Sequence, residues 1–467
     1  MTANESLNLS LQVNDLLKSD LSHVFHEDIP FELIEKQALE LMPDSRDRVF
    51  TPCNVILTML LSATKEDKSM QEALNTFKLV FENDCKKVFQ EEVRQLEQEK
   101  IKDNLGIRGV GRPKKYLSSL PKSHQKPLSD STAGYSTARK KLDINIIQTV
   151  FEHSADFGNL ETELWYGLKT YITDGTYVQL QDTKDIKSEY TVKNQEDSYP
   201  QALLQALIRQ GSGQISQFRI ASRQTSELIL VVPMMKSLER GSLLLSDDLY
   251  NSYYHFCLVF LQGCHMIVPG KRTRNYKVIR KISENDLIVE VAKTKRPDYV
   301  SKDEWKNLPD KILLRRIEYT YPTKEGIESA VLYSTIIDDK ITASEIITKY
   351  SMRWDIEISI REVKTIMDIN VLRSKSREML LKELLIALTA YNLVRKVIAR
   401  SAGKTGFSPQ KDIFPKFNSS GSAIFLDKRG RVLFKRSPGR YGYAARTNQQ
   451  ASNPTPKREK TTLHKKN

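Results

Sequence analysis

Between residues 165 and 268 the chain settles into one texture, short apolar runs that each end in turn-forming residues. Leu168–Thr173, Ala202–Arg209, Gln214–Ala221, Ser242–Ser246 and His265–Val268 read as strands, and Glu227–Leu238 and Tyr253–Gln262 as helices between them. This alternation predicts an α/β domain with mixed strand directions. Ala330–Ile337 reads as a returning strand. Thr342 or Ser344 can cap a helix that contains Tyr350 to Ile369, and Arg377–Ala399 carries the apolar stripe of a further helix.

The flanks differ in composition. Residues 9–100 are rich in Leu, Glu, Lys and Gln, with Val55, Met59, Leu60 and Ala63 at roughly helical spacing, so residues 1–150 are expected to form a helical N-terminal region. Within it, 104–133 carries Gly106, Gly109, Gly111, Pro113, Pro121 and Pro127, which break any regular element and predict a basic arm. Residues 269–331, dense in Lys, Arg and Asp with runs such as Leu287–Val291 and Ile312–Tyr319, read as a β-rich insertion. It divides the α/β domain into 165–268 and 332–400. Residues 401–467 read as a basic tail with one hairpin, Ala423–Leu426 and Val432–Phe434, and a disordered end.

The formal net charge of +14 is concentrated in two places. Residues 401–467 hold 15 Lys and Arg against 3 Asp and Glu, and residues 101–141 hold 10 against 2. Paired basic segments on a near-neutral body suit a polyanion, because phosphates neutralised by Lys and Arg release condensed counterions. Charge alone fits two solvated segments equally well. Gly111-Arg112-Pro113-Lys114-Lys115 has the extended cationic character of arms that enter an A·T-rich minor groove, with a plain basic linker as the other reading. Cys53, Cys85, Cys257 and Cys264 show no metal-binding or disulfide spacing. With no membrane-length apolar run and no signal-peptide pattern at Met1, the expectation is a cytoplasmic protein with no membrane partner, on the nucleoid if DNA is bound.

Chemistry concentrates in Tyr350, Arg353, Glu357 and Lys364, at offsets of 0, 3, 7 and 14. On one continuous helix this spacing gathers all four on a single face. It offers a carboxylate for a divalent cation, flanked by two cations and a phenol for phosphate oxygens. A surface ion-pair ladder has the same composition. Two further carboxylates suit strand ends: Asp174, expected where Leu168–Thr173 meets an Asp-Gly-Thr turn, and Asp247, after Ser242–Ser246. Each could instead merely cap a turn. Asp248 is the rival of Asp247, but strand alternation lets only one of the pair face a site.

Tyr350-x2-Arg353-x3-Glu357-x6-Lys364 resembles the Y-R-E-K pattern of the insertion sequence 4 family of DDE transposases. Asp174 in Asp-Gly-Thr resembles the family's first aspartate. Asp247, with Tyr250 three residues on, resembles the second. Arg46–Thr51 and Gly134–Leu142 extend the resemblance to about residues 30–400.

The resemblance implies a ribonuclease H-like catalytic core in which Asp174, Asp247 and Glu357 bind two Mg²⁺ (or Mn²⁺) ions, one beside the attacking water or 3′-hydroxyl and one beside the leaving oxygen. Tyr350, Arg353 and Lys364 would contact DNA phosphates. Trp305, the lone Trp of the insertion, is the candidate receptor for a flipped base, or else an anchor of the small β-segment. The implied activity is cut-and-paste transposition on terminal inverted repeats of double-stranded DNA, by a homodimer bridging two ends. A catalytically inactive or domesticated DNA-binding relative is the alternative.

Overall fold

The structure, a computed structural model, describes residues 28–43, 49–64, 69–79, 129–158, 164–190, 199–270, 274–323, 326–365 and 369–403, with residues 81, 91, 424–426 and 432–434. Arg112, Lys114, Lys115 and most of the 104–133 arm lie outside them. So does the 401–467 tail, apart from its first three residues and a hairpin pairing Ile424–Leu426 with Val432–Phe434.

Before the sheet come α1 (Phe31–Leu41), α2 (Pro52–Thr64), α3 (Ala133–Lys141) and α4 (Ile144–Ala155), with a further helical stretch at residues 70–79. Helix α4 starts where Asp143 accepts a hydrogen bond from the Asn145 amide, and it buries Ile146, Ile147, Val150 and Phe151 on one side. Next come β1 (Lys169–Gln179), α5 (Lys184–Tyr190), β2 (Gln201–Arg209), β3 (Ile215–Ser222), α6 (Glu227–Lys236), β4 (Ser242–Leu245), α7 (Tyr253–Leu261) and β5 (His265–Gly270). After them come β6 (Lys277–Ser283), β7 (Asp286–Ala292), α8 (Lys302–Lys306), β8 (Lys311–Thr323), β9 (Gly326–Ser334), α9 (Ala343–Ser351), α10 (Asp355–Thr365) and α11 (Arg377–Gly403).

The strands form one nine-stranded sheet in the order β3-β2-β1-β4-β5-β9-β8-β7-β6. β1, β2 and β3 make an antiparallel meander, whereas β4 lies parallel to β1, and β5 parallel to β4. The short Leu-rich β4 is buried throughout, as expected of a central parallel strand covered on both faces. On one face Ile172, Leu204, Leu243 and Leu245 pack with Ile356, Val363, Leu384 and Leu388 from α10 and α11. On the other, Tyr171, Leu207, Leu244 and Met266 pack with Val231 and Met234 of α6 and Phe256 of α7. The strands of the 269–331 segment continue this same sheet, because β9 pairs antiparallel with β5 and carries β8, β7 and β6 outward.

Two local expectations change. β1 does not turn at Asp174; its ladder with β2 runs on to Gln179 opposite Gln201, and Gly175 and Thr176 are strand residues. The expected helix from Tyr350 to Ile369 is also broken. The Thr342 hydroxyl and the Glu345 carboxylate form a capping box that starts α9, a 3₁₀ turn at Met352–Trp354 interrupts it, and α10 resumes at Asp355 and ends at Thr365. Tyr350 and Glu357 therefore sit on two successive helices, α9 and α10, rather than on one continuous helix.

Candidate active site

The site forms where two neighbouring strands part. The parallel ladder of β1 and β4 ends at Ile172 opposite Leu245. Asp174 lies two residues beyond Ile172, and Asp247 two beyond Leu245, so both acids leave the ladder at the same level. From there β1 continues without β4 beside it until Gln179, where the amide donates to the Asn370 carbonyl and the carbonyl accepts from the Leu372 amide. The stretch between is an open sheet edge, the kind of crevice in which α/β proteins place ligands.

Asp247 caps the 3₁₀ turn Asp248–Tyr250, its Oδ1 accepting from the Leu249 amide at 3.1 Å. Asp248, the first residue of that turn and outside the strand, is exposed. Asp174 Oδ1 accepts from the Gly175 amide at 2.9 Å. Burial pushes the Asp174 carboxyl up to about 6 against the lowering effect of that hydrogen bond, and Asp247 and Glu227 push it further in the same direction. Burial likewise raises Asp247, with Asp248 adding to it. The Arg353 guanidinium draws both aspartates back toward the charged form.

Tyr350, Arg353 and Lys364 line the opening in turn. Tyr350 Oη donates to the carbonyl of Ser246, the residue before Asp247, at 3.3 Å. Arg353 has its side chain mostly buried; its Nε has no hydrogen-bond partner among the described residues, and its guanidinium lies 4.9 Å from the Trp354 ring centroid. Lys364 Nζ donates to Thr176 Oγ1 on β1 at 3.0 Å. Glu357 stands apart from the aspartates, half-exposed, with Oε1 4.0 Å from Arg353 Nη2. Among the described residues no three His, Cys, Asp or Glu side chains close to metal-holding range. The donor chemistry still fits a hard divalent cation, since the two aspartates offer carboxylate oxygens at a shared, partly buried opening where their charges oppose one another.

Trp305 lies away from this opening, in the second core. Its ring centroid is 6.0 Å from that of Tyr253 and 6.5 Å from that of Tyr254, with Lys293 Nζ 5.5 Å from it. Sequence reading missed Glu227, the first residue of α6, whose carboxylate takes a hydrogen bond from Tyr250 Oη at 3.1 Å and influences Asp174. The signal for it is Gly175: a glycine inside a strand marks close approach by another group, whereas Asp-Gly-Thr by itself predicts a turn.

Residues 165–393 match the family described as Transposase DDE domain. The chain is 25% identical over 313 residues to Transposase InsG for insertion sequence element IS4 of Escherichia coli (strain K12), covering 65% of this chain and 68% of that protein. A looser overlap joins it to a piggyBac transposase synaptic complex with hairpin DNA, at TM-score 0.38 and 10% identity over 86% of this chain and 78% of that one. The aspartate pair and the Tyr, Arg, Glu and Lys residues described above all fall inside the matched segment, and the chain is an insertion sequence 4-like DDE transposase, a metal-dependent enzyme that cleaves and transfers DNA strands.

Proposed function

We propose that the protein binds the terminal inverted repeats of its own element and catalyses cut-and-paste excision and strand transfer, with Asp174, Asp247 and Glu357 holding two Mg²⁺ or Mn²⁺ ions. The observation that carries this reading is the placement of Asp174 and Asp247 at one level on adjacent parallel strands, with Arg353 acting on both. The strand order β3-β2-β1-β4-β5, antiparallel then parallel, supports a ribonuclease H-like core spanning 165–268 and 332–400. The 269–331 segment is then an insertion that enlarges the sheet, and the helices before residue 150 form the N-terminal DNA-binding region.

When bound, the ions supply Lewis-acid stabilisation to an in-line displacement at phosphorus. The chain's own groups do the rest. Arg353 favours the anionic form of both aspartates and presents a cation beside them. Lys364, held over Thr176, neutralises a backbone phosphate lying along the open edge of β1, and Tyr350 offers a phenol at the Asp247 end. Glu357 completes the ligand set from α10, which packs against β1. Arg112, Lys114 and Lys115 add contacts to the duplex, and Trp305 supports the segment that carries it. The active assembly is a homodimer on two element ends, at the bacterial nucleoid. Among the described residues no helix is long and apolar enough to cross a membrane.

The test is cleavage of a duplex carrying the element's ends. Wild type with Mg²⁺ should nick and join it, and the same duplex with scrambled ends should stay intact. Equal cutting of both would point to a nuclease without end recognition.

A further inference from the structure

We infer that Glu227 is a fourth carboxylate of the metal centre, beside Asp174, Asp247 and Glu357; the inference rests on the aspartate metal site proposed above. Glu227 opens α6, on the face of the sheet opposite α10. It can reach the same opening because β4 stops at Leu245 while β1 runs on, which leaves no strand between the two faces beside Asp174.

Three features set Glu227 apart from an ordinary helix-terminal glutamate. The end of α6 is already capped, since the Ser226 hydroxyl accepts from the Leu228 amide at 3.3 Å. Second, Gly175 makes room for the carboxylate. A Cβ on Gly175 would stand 2.5 Å from Glu227 Cδ and 2.7 Å from each of its oxygens. Gly175 is not among the glycines with positive φ, so its backbone does not require glycine. What an added Cβ would displace is the neighbouring carboxylate.

Third, a one-way chain of hydrogen bonds ends on Glu227. Thr173 Oγ1 donates to the Ala206 carbonyl at 3.0 Å, which leaves it as acceptor for Gln205 Nε2 at 2.8 Å. The same amide nitrogen donates to Tyr250 Oη at 2.9 Å, and Tyr250 Oη donates to Glu227 Oε2 at 3.1 Å. Every proton in the chain is committed, so Glu227 Oε2 is the final acceptor. Gln205, directly across the ladder from Gly175, is fully buried, and its Oε1 has no hydrogen-bond partner among the described residues. The fold thus places a second carboxylate close to the Asp174 strand and tethers it through one phenol, a pair of acids that a shared cation would hold together.

The experiment is Mn²⁺ binding to the full chain, followed by the loss of the free-ion paramagnetic signal, for wild type, Asp174→Asn and Glu227→Gln, with Tm in EDTA as a measure of folding. Glutamine keeps an oxygen for Tyr250, so Glu227→Gln should unfold at or above the wild-type Tm while binding Mn²⁺ about tenfold or more weakly. Wild-type affinity in Glu227→Gln, with Asp174→Asn weakened, would overturn the role of Glu227 and leave the aspartate site standing. Wild-type affinity in Asp174→Asn would overturn both. Tyr250→Phe, which frees the Glu227 carboxylate without removing it, should weaken Mn²⁺ less than Glu227→Gln; an equal or larger loss would make Glu227 a mere prop for Tyr250.

Discussion

Arg315 and Asp286 form a two-pronged ion pair inside the β-rich segment, with Nε to Oδ1 at 2.8 Å and Nη2 to Oδ2 at 2.6 Å, both side chains almost wholly buried. The remaining nitrogen of Arg315, Nη1, donates to the carbonyls of Asp338 and Ile341, immediately before the Thr342 cap of α9. The pair therefore joins the outer strands to the start of the helix that carries Tyr350. Removing one partner leaves a buried charge alone, so Asp286→Ala should cost about 3–5 kcal/mol by chemical denaturation. A cost below about 1 kcal/mol would show that the connection is ornamental.

Glu357 is half-exposed and contributes little to packing, which separates its chemistry from stability. Glu357→Gln should leave Tm and end binding unchanged while lowering the cleavage rate by about 10²–10³-fold or more, the scale seen when one preorganised charge is lost from an active site. Binding is read by gel shift and cleavage by single-turnover kinetics; parallel loss of both would contradict the assignment.

Lys364 touches the open edge of β1 through Thr176 and carries one positive charge toward it. Lys364→Ala should weaken DNA binding and reduce the slope of log K against log salt by about 1. An unchanged slope would remove it from the phosphate contacts.

Asp174 gives the apoprotein a pH signature. Its carboxyl is raised from 3.8 to about 6, chiefly by burial. The folded protein therefore keeps a proton that the unfolded chain has released, and this stabilising contribution is lost as pH rises from the unfolded value through about 6. Relative to Asp174→Asn, wild type in EDTA should lose at most about 3 kcal/mol across that window, with solvent screening reducing the figure. Thermal melts at pH 4 and pH 7.5 test this: the stability advantage of Asp174→Asn should grow with pH and shrink when Mg²⁺ is added. A constant gap would place Asp174 outside the buried opening.

The strands were legible because buried runs bounded by turn residues carry their own periodicity. His265–Val268 and Ser242–Ser246 fall within a residue or two of β5 and β4. Asp247 was legible for the same reason. Around Asp174 the expected local structure was wrong, since Asp-Gly-Thr has turn chemistry, whereas the ladder with β2 runs on and Glu227 approaches the glycine inside the strand. The 3₁₀ turn at Met352–Trp354 left no trace in composition, with no Gly or Pro to announce it. Glu227 could not be found from spacing, because Tyr250, which donates to it, Gln205, which donates to Tyr250, and Gly175, against which it lies, come from three separate elements.

The most direct measurement is strand cleavage and transfer on a DNA fragment carrying the element's ends, with Mg²⁺ or EDTA, comparing wild type with Asp174→Ala, Asp247→Ala and Asp248→Ala. The shared level of Asp174 and Asp247 and the outward position of Asp248 predict Mg²⁺-dependent products from wild type and Asp248→Ala, and none from the other two. Full activity in Asp174→Ala or Asp247→Ala would contradict the proposed metal site, and end binding by wild type without cleavage under any divalent ion would contradict the enzyme itself.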